Sequence, residues 1–138
     1  MSLEENRNVT RRLCERVWNQ GDMTAIDELL AENFVDHVDF DRPWDREQYK
    51  QAWTQVRVIF PDLHGTIENL IAERDMVAGW ITFRGTHKGE LWGIPPTGRQ
   101  VVYRQFVHQR IVDGKIVDNW GLADFASVRR QLEAKSAG

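Results

Sequence analysis

The chain has one cysteine, four prolines and no long apolar run in its 138 residues. A single thiol, Cys14, cannot form an internal disulfide, and no metal-ligand spacing surrounds it. It sits in an apolar-periodic segment and reads as an inert core thiol. No stretch approaches the roughly 18 apolar residues of a membrane span. The opening residues Met1-Ser2-Leu3-Glu4-Glu5-Asn6 are charged at once and hold no apolar leader core. The histidines His37, His64, His87 and His108 lack the i, i+3 or i, i+4 spacing of a helical zinc site, so no metal is expected. Basic and acidic side chains nearly balance, 18 against 21, for a formal charge of −3. That balance excludes the strongly basic face a nucleic-acid partner needs. There is no repeat, low-complexity run or linker. These absences point to a soluble cytoplasmic protein of one domain, residues 1–138, long enough to bury about two-thirds of its unfolded surface. The one excess is six tryptophans. Large aromatics fill cores, and they also line pockets for apolar ligands.

Ser2 and Glu5 have capping-box spacing, and Val9, Leu13 and Val17 recur on one helical face behind them. Gly21 suits a left-handed stop, and Asp22 can cap a second, short helix carrying Ile26, Leu29 and Leu30. Phe34 to Val38 reads as a strand. Asp45 with Gln48 is a second capping signal, and Tyr49, Trp53, Val56 and Phe60 give an amphipathic helix that Pro61 ends. The period then changes. Residues 66–73, 76–86, 101–112 and 115–122 read as strands, with Asp113-Gly114 as a hairpin turn. Val77, Ile81 and Phe83 share one face of the second of these strands, and Trp80 and Thr82 take the other. Asp124 caps a last helix bearing Val128 and Leu132. This order makes an α+β fold: a curved antiparallel sheet packed on three helices plus a C-terminal helix, a cone with a pocket between sheet and helices.

Three runs carry a resemblance. Gly93-Ile94-Pro95-Pro96-Thr97-Gly98-Arg99 resembles the loop of SnoaL-like polyketide cyclases. Arg110-Ile111-Val112-Asp113-Gly114-Lys115-Ile116 resembles their hairpin, and Asp124-Phe125 with Arg130-Gln131-Leu132 their tail. A weaker likeness extends to Gly21-Asp22, Phe34 and Val56-Arg57. The resemblance implies the nuclear-transport-factor-like cone. It also implies ring closure by an intramolecular aldol step without a cofactor, one aspartate serving as acid and base. Matched without a gap between hairpin and tail, that aspartate falls on Gly121. One pocket histidine falls on Asn119 and another on Val107. A pocket glutamine is kept as Gln105, and Asp36 stands where the family carries an asparagine.

The residues themselves make a parallel case. A type I turn with Gly114 in a bulge position sets Ile111 opposite Lys115, Gln105 opposite Gly121 and Val107 opposite Asn119, on one face with Tyr103. That face offers hydrogen-bond donors for an oxyanion and no base. Asp36 and His37 are the leading sources of a base. Strand alternation lets only one of them face inward, and the same pair also fits a polar strand end. His108 and Asp118 face each other on the opposite side in this register, either as an oriented imidazole or as an ordinary cross-strand pair. Asp124 reads as a helix cap, His64 as exposed, and His87 as a residue near a pocket mouth. The Gly93–Gly98 loop has no Lys-Ser/Thr ending and reads as a lid or a subunit contact, with Leu91, Trp92 and Ile94 as its apolar part.

Among the tryptophans, Trp53, Trp80 and Trp92 are the expected pocket walls. Trp18 is expected to cover a core edge, Trp44 precedes a helix cap, and Trp120 lies on the outer sheet face. The expected partner is an apolar small molecule. A homodimer or homotetramer is expected through the face of Arg104, Phe106, Arg110 and Trp120. One functional reading is a cofactor-independent enzyme that moves a proton to cyclise or isomerise an apolar carbonyl compound. It would use Asp36 or His37 as base and Gln105, Asn119 or Tyr103 as donors. A hydroxylase or epoxide hydrolase on the same scaffold is its neighbour. The other reading is a ligand-binding protein without catalysis, and Gly121 is the feature that favours it.

Overall fold

A computed structural model describes residues 1–134. Helix α1, Leu3–Arg12, opens with the expected capping box between Ser2 and Glu5. It runs directly into a wider turn, Leu13–Asn19, whose bonds reach five residues back, as from Gln20 N to Glu15 O at 3.2 Å. Gly21 closes this segment at φ +70°, and Asp22 then holds Thr24 by its amide and hydroxyl. Helix α2 is Thr24–Leu29, and strand β1, Leu30–Asp36, follows without a loop. Helix α3, Arg46–Ile59, carries the second capping box, Asp45 with Gln48. The remaining elements are β2 His64–Glu73, β3 Met76–Thr86, β4 Gln100–Val112, β5 Lys115–Ala123 and α4 Phe125–Glu133. Asp124 caps α4 by accepting from Ser127 N at 3.1 Å.

The α+β class and cone stand as expected. The sheet, however, is mixed rather than purely antiparallel. Its order is β1-β5-β4-β3-β2, and β1 runs parallel to β5. The reason is the chain path: α3 lies between β1 and the meander, so β1 returns to the far edge by a crossover rather than by a hairpin.

The β4–β5 register also differs from expectation. Asp113 and Gly114 both take positive φ, 50° and 77°, so the turn has two residues and sets Val112 opposite Lys115. One extra residue in β5, Val117, then falls between the pairs Ile111–Ile116 and Arg110–Asp118. Together these move the pairing by two residues. Val107 therefore faces Gly121, Gln109 faces Asn119 and His108 faces Trp120. A shift of two leaves every side chain on its expected side of the sheet. Asp118 is no longer opposite His108.

The inner face is apolar. Val77, Ile81, Phe83, Val101 and Ile116 are fully covered by Leu13, Val17, Ile26 and the rings of α3. Trp18, expected at a core edge, is buried, stacking on Trp53 at 5.4 Å and meeting Phe83 edge-on at 5.6 Å. The wide turn explains this: an extra residue per turn rotates the helix face, so simple i, i+4 counting fails after Leu13. Cys14 is buried as expected, and burial pushes its thiol up to about 11, which keeps it protonated and unreactive. Among the described residues no helix is long and apolar enough to cross a membrane.

Strand β2 also bulges, between the pairs Ile67–Ile81 and Asn69–Trp80, next to the pair Leu70–Gly79. A Cβ on Gly79 would lie 2.0 Å from the Asn69 carbonyl oxygen, so the two backbones approach only because this residue is glycine. Gly79→Ala should therefore destabilise the protein by at least about 3 kcal/mol in chemical denaturation, well beyond an ordinary strand substitution.

Candidate functional site

The concave side of the sheet and helices α3 and α4 enclose a cavity of about 250 Å³. Its walls are aromatic: Trp18, Tyr49 and Trp53 from the helices, Tyr103 from β4, and Trp92 and Phe125 at the rim. Tyr49 is held from within, its hydroxyl accepting from Trp18 Nε1 at 3.2 Å. Trp92 stands at φ 53° in a tight turn in which Leu91 and Ile94 bond each other. It packs edge-on against Phe125 at 5.8 Å, under the Arg129 guanidinium at 5.0 Å. Leu91 and Trp92 of this turn thus form part of the cavity wall.

One end of the cavity is polar. Asp36, the last residue of β1, faces inward and is 6% exposed. Its backbone N–H and C=O bond those of Trp44, both at 2.8 Å, which pins a loop across the cavity mouth. The neighbouring backbone bond, His37 N to Asn119 O at 2.7 Å, ties β1 to β5. Asn119 Nδ2 donates to Asp36 Oδ1 at 3.1 Å. No other described side chain bonds the Asp36 carboxyl. Burial pushes this carboxyl above its usual range, while the Asn119 bond and the His37 charge work against that rise. Among the described residues lining the cavity, Asp36 is the sole carboxylate.

Gln105 and Asn119 both line this end, beside Gly121. A methyl group built on Gly121 would sit 3.4 Å from Gln105 Nε2 and 3.5 Å from Asn119 Nδ2, in ordinary contact. The missing side chain leaves a niche with two amide groups aimed at it. Tyr103 lies near, 5.4 Å from Phe83 and 6.2 Å from Phe125 by ring centroids. Its phenol is raised by burial and stays a proton donor.

Of the residues expected here, Asp36, Gln105, Asn119, Trp53, Trp92, Tyr103 and Gly121 all line the cavity. Three do not. His37 turns to the other side of the sheet, as alternation requires once Asp36 faces in. There it bonds Asp118 Oδ1 at 2.9 Å and stacks on Trp120 at 4.5 Å. Trp80 is also on the outer face, with Arg104 5.3 Å above its ring, because it is one residue from inward-facing Ile81. Val107 faces inward but is packed in the core below the cavity floor. His108 contacts Trp120 at 5.5 Å, and Asp118 instead takes two bonds from Arg110, at 2.6 and 2.9 Å. Burial works to raise the Asp118 carboxyl, but the bonds from His37 and Arg110 outweigh it and hold it low. His87 is fully buried and does not reach the cavity mouth; its Nδ1 accepts from Thr97 N at 3.2 Å. His64 is exposed. Sequence reasoning missed Trp18, Trp44, Tyr49 and Phe125 as cavity walls, and Gln109 behind Asn119. The helix period did mark Tyr49 as inward. Among the described residues no three His, Cys, Asp or Glu side chains converge as metal ligands.

The family model for SnoaL-like polyketide cyclases matches residues 8–132. The nogalonic acid methyl ester cyclase of Streptomyces nogalater is 30% identical over 118 residues, covering 83% of this chain and 88% of that protein. Among solved structures, AclR, a candidate hydroxylase from Streptomyces galilaeus, superposes with a TM-score of 0.88 at 26% identity, covering 99% of this chain and 86% of that one. IdmH, a candidate polyketide cyclase from Streptomyces antibioticus, gives 0.83 at 32% identity, covering 92% of this chain and 97% of that one.

The geometry around Gly121 makes a direct prediction. Gly121→Asp should fold, since its Cβ meets only ordinary contacts, and it brings a second carboxylate beside Asn119. Like charges resist joint ionisation, so the Asp36 carboxyl should titrate at higher pH in this variant than in the wild type. The carboxyl 13C shift, followed against pH, measures it.

Proposed function

The chain belongs to the SnoaL-like polyketide cyclase family, and from that premise we propose that it is a cofactor-independent enzyme acting on an apolar carbonyl compound. The observation that carries this reading is Asp36: a buried carboxylate in an aromatic cavity, beside the niche left by Gly121. A carboxylate whose affinity for protons is raised by burial is suited to general base work.

Asp36 Oδ2 takes a proton from the carbon next to a carbonyl group. The C–H electron pair forms the enolate double bond, and the carbonyl pair moves onto its oxygen. Gln105 Nε2 and the Tyr103 hydroxyl, which line the same cavity, donate to that oxygen. The enolate carbon then attacks a second carbonyl of the same molecule, and the protonated Asp36 returns its proton to the new alkoxide. Return to carbon instead gives an isomer. Atoms and electrons balance within the substrate, and no redox partner enters. The aromatic walls hold the apolar body and exclude water, which strengthens each polar interaction at the reacting end.

A second reading, a hydroxylase on the same scaffold, is favoured by the likeness to AclR. The product distinguishes them, since cyclisation or isomerisation keeps the substrate's mass and hydroxylation adds one oxygen. A ligand-binding protein without catalysis is less well supported, because an apolar side chain in place of Asp36 would serve such a cavity at no desolvation cost. The outer face, with Phe106, Trp120 and Leu122 exposed, supports a homodimer or homotetramer formed with further copies of this chain.

With a panel of apolar β-keto esters and diketones, Asp36→Asn should lower turnover by at least about a hundredfold. His37→Gln, on the opposite face, should leave it within about threefold. Turnover unchanged in Asp36→Asn removes Asp36 as base. Light scattering should give a multiple of the chain mass, and Phe106→Glu should lower it; a monomeric wild type contradicts the assembly.

A further inference from the structure

Behind Asp36 lies a run of buried polar side chains that the proposed reaction does not touch. Thr10 of α1 donates its hydroxyl to Gln109 Oε1 at 2.7 Å. Gln109 Nε2 of β4 donates to Asn119 Oδ1 at 3.0 Å. Asn119 Nδ2 of β5 donates to Asp36 Oδ1 of β1 at 3.1 Å. Thr10 and Gln109 are essentially unexposed, at 0% and 1%, and neither lines the cavity. Four elements thus contribute one member each, and the bonds continue from one to the next without a gap.

The sense of each bond follows from chemistry. A carboxylate only accepts, so Asn119 must present its NH2 group. Its carbonyl oxygen is then turned away and needs a donor, which Gln109 supplies. Gln109's own oxygen then needs a donor, which the Thr10 hydroxyl supplies. Remove Thr10 or Gln109, and an amide loses the bond that sets which of its ends points forward. Fully satisfied buried polar networks fix a single arrangement, whereas packing alone would be served equally well by apolar side chains.

We infer that Thr10 and Gln109 are positioning residues: the relay Thr10–Gln109–Asn119 fixes the Asn119 amide so that it occupies Asp36 Oδ1, leaving Oδ2 as the atom that exchanges protons with the ligand. The inference rests on the reading of Asp36 as base, but the relay's effect on the carboxyl can be measured without it. The ionisable groups facing Asp36 are few. His37, next in the chain but turned to the other side of the sheet, acts on it only through its charge, and the Tyr49 phenol of α3 is kept protonated by burial. From β4 the cavity receives Tyr103, also held protonated, and from β5 and α4 no charged side chain lines it. Of the groups acting on Asp36, the Asn119 bond is the largest that favours its charged form.

The sign follows. Losing that bond raises the pH at which Asp36 ionises. Since the carboxylate is the active form, activity that falls as pH drops should fall earlier.

The test compares wild type with Gln109→Leu, Thr10→Val and the conservative Thr10→Ser. Thermal melts first establish folding. If Gln109→Leu does not fold, the Thr10 pair suffices, since Val closely matches Thr in shape. The first readout is the Asp36 carboxyl 13C resonance, assigned by its disappearance in Asp36→Asn and titrated in the free protein. It should move to higher pH in Gln109→Leu and Thr10→Val and stay at the wild-type position in Thr10→Ser. The second readout is the pH profile of kcat/KM. On the acid side, Gln109→Leu should lose roughly tenfold, with little loss on the alkaline side and little change in KM.

An unmoved Asp36 titration in both folded disruptive variants overturns the relay. So does a loss of kcat/KM that is uniform with pH. If Asp36→Asn retains turnover while the Asp36 titration still moves in Gln109→Leu, the proposed reaction fails and the relay stands.

Discussion

The parallel pairing of β1 with β5 decides what this cavity contains. The backbone bond from His37 N to Asn119 O and the pairing of Asp36 with Asn119 fix the register of the edge strand. A one-residue slip would exchange Asp36 for His37 on the inner face and remove the carboxylate from the cavity. With the register as it is, Asp36 meets an amide donor and an aromatic enclosure, while His37 joins Asp118, Arg110 and Trp120 outside. The same alternation sends Trp80 outward and Tyr103 and Gln105 inward. Acid–base capacity and outer-surface chemistry are thus set by one strand register.

That placement has a cost that the surroundings offset in part. Desolvation opposes a charged Asp36, and a single amide bond together with a nearby imidazole opposes the desolvation. The carboxyl is left with a raised proton affinity, a shift in the direction that favours a general base. The apolar cavity wall therefore both encloses the space beside Asp36 and raises the proton affinity of its carboxyl. Gly121 complements this. By carrying no side chain it leaves open space beside the Gln105 and Asn119 amides.

Much of this was legible in the sequence, because capping boxes, helical periodicity and hairpin turns are local signals. Ser2 with Glu5, Asp45 with Gln48 and the Asp113-Gly114 turn all stand where local rules put them. The two chemical ends of Asp36-His37 were recognised as alternatives, but which faced inward depended on a long-range pairing that no local pattern encodes. The β4–β5 register went astray for a similar reason: Val117 reads as any strand residue, and nothing marks it as the extra one. Sidedness survived only because the error was even. Trp18 was misplaced because the wide turn after Leu13 resets the helical phase. Gln109 was invisible as a site residue because its role lies in what it bonds, two strands away from the carboxylate.

In the proposed reaction Asp36 removes a proton from carbon next to a carbonyl group inside the cavity. That half of the reaction can be observed without the natural substrate. Apolar cyclic ketones and β-keto esters incubated in D2O report it by NMR as deuterium entering the position next to the carbonyl. Exchange should exceed the buffer rate with the wild-type protein and be lost in Asp36→Asn. Equal exchange in both proteins, above buffer, would contradict it.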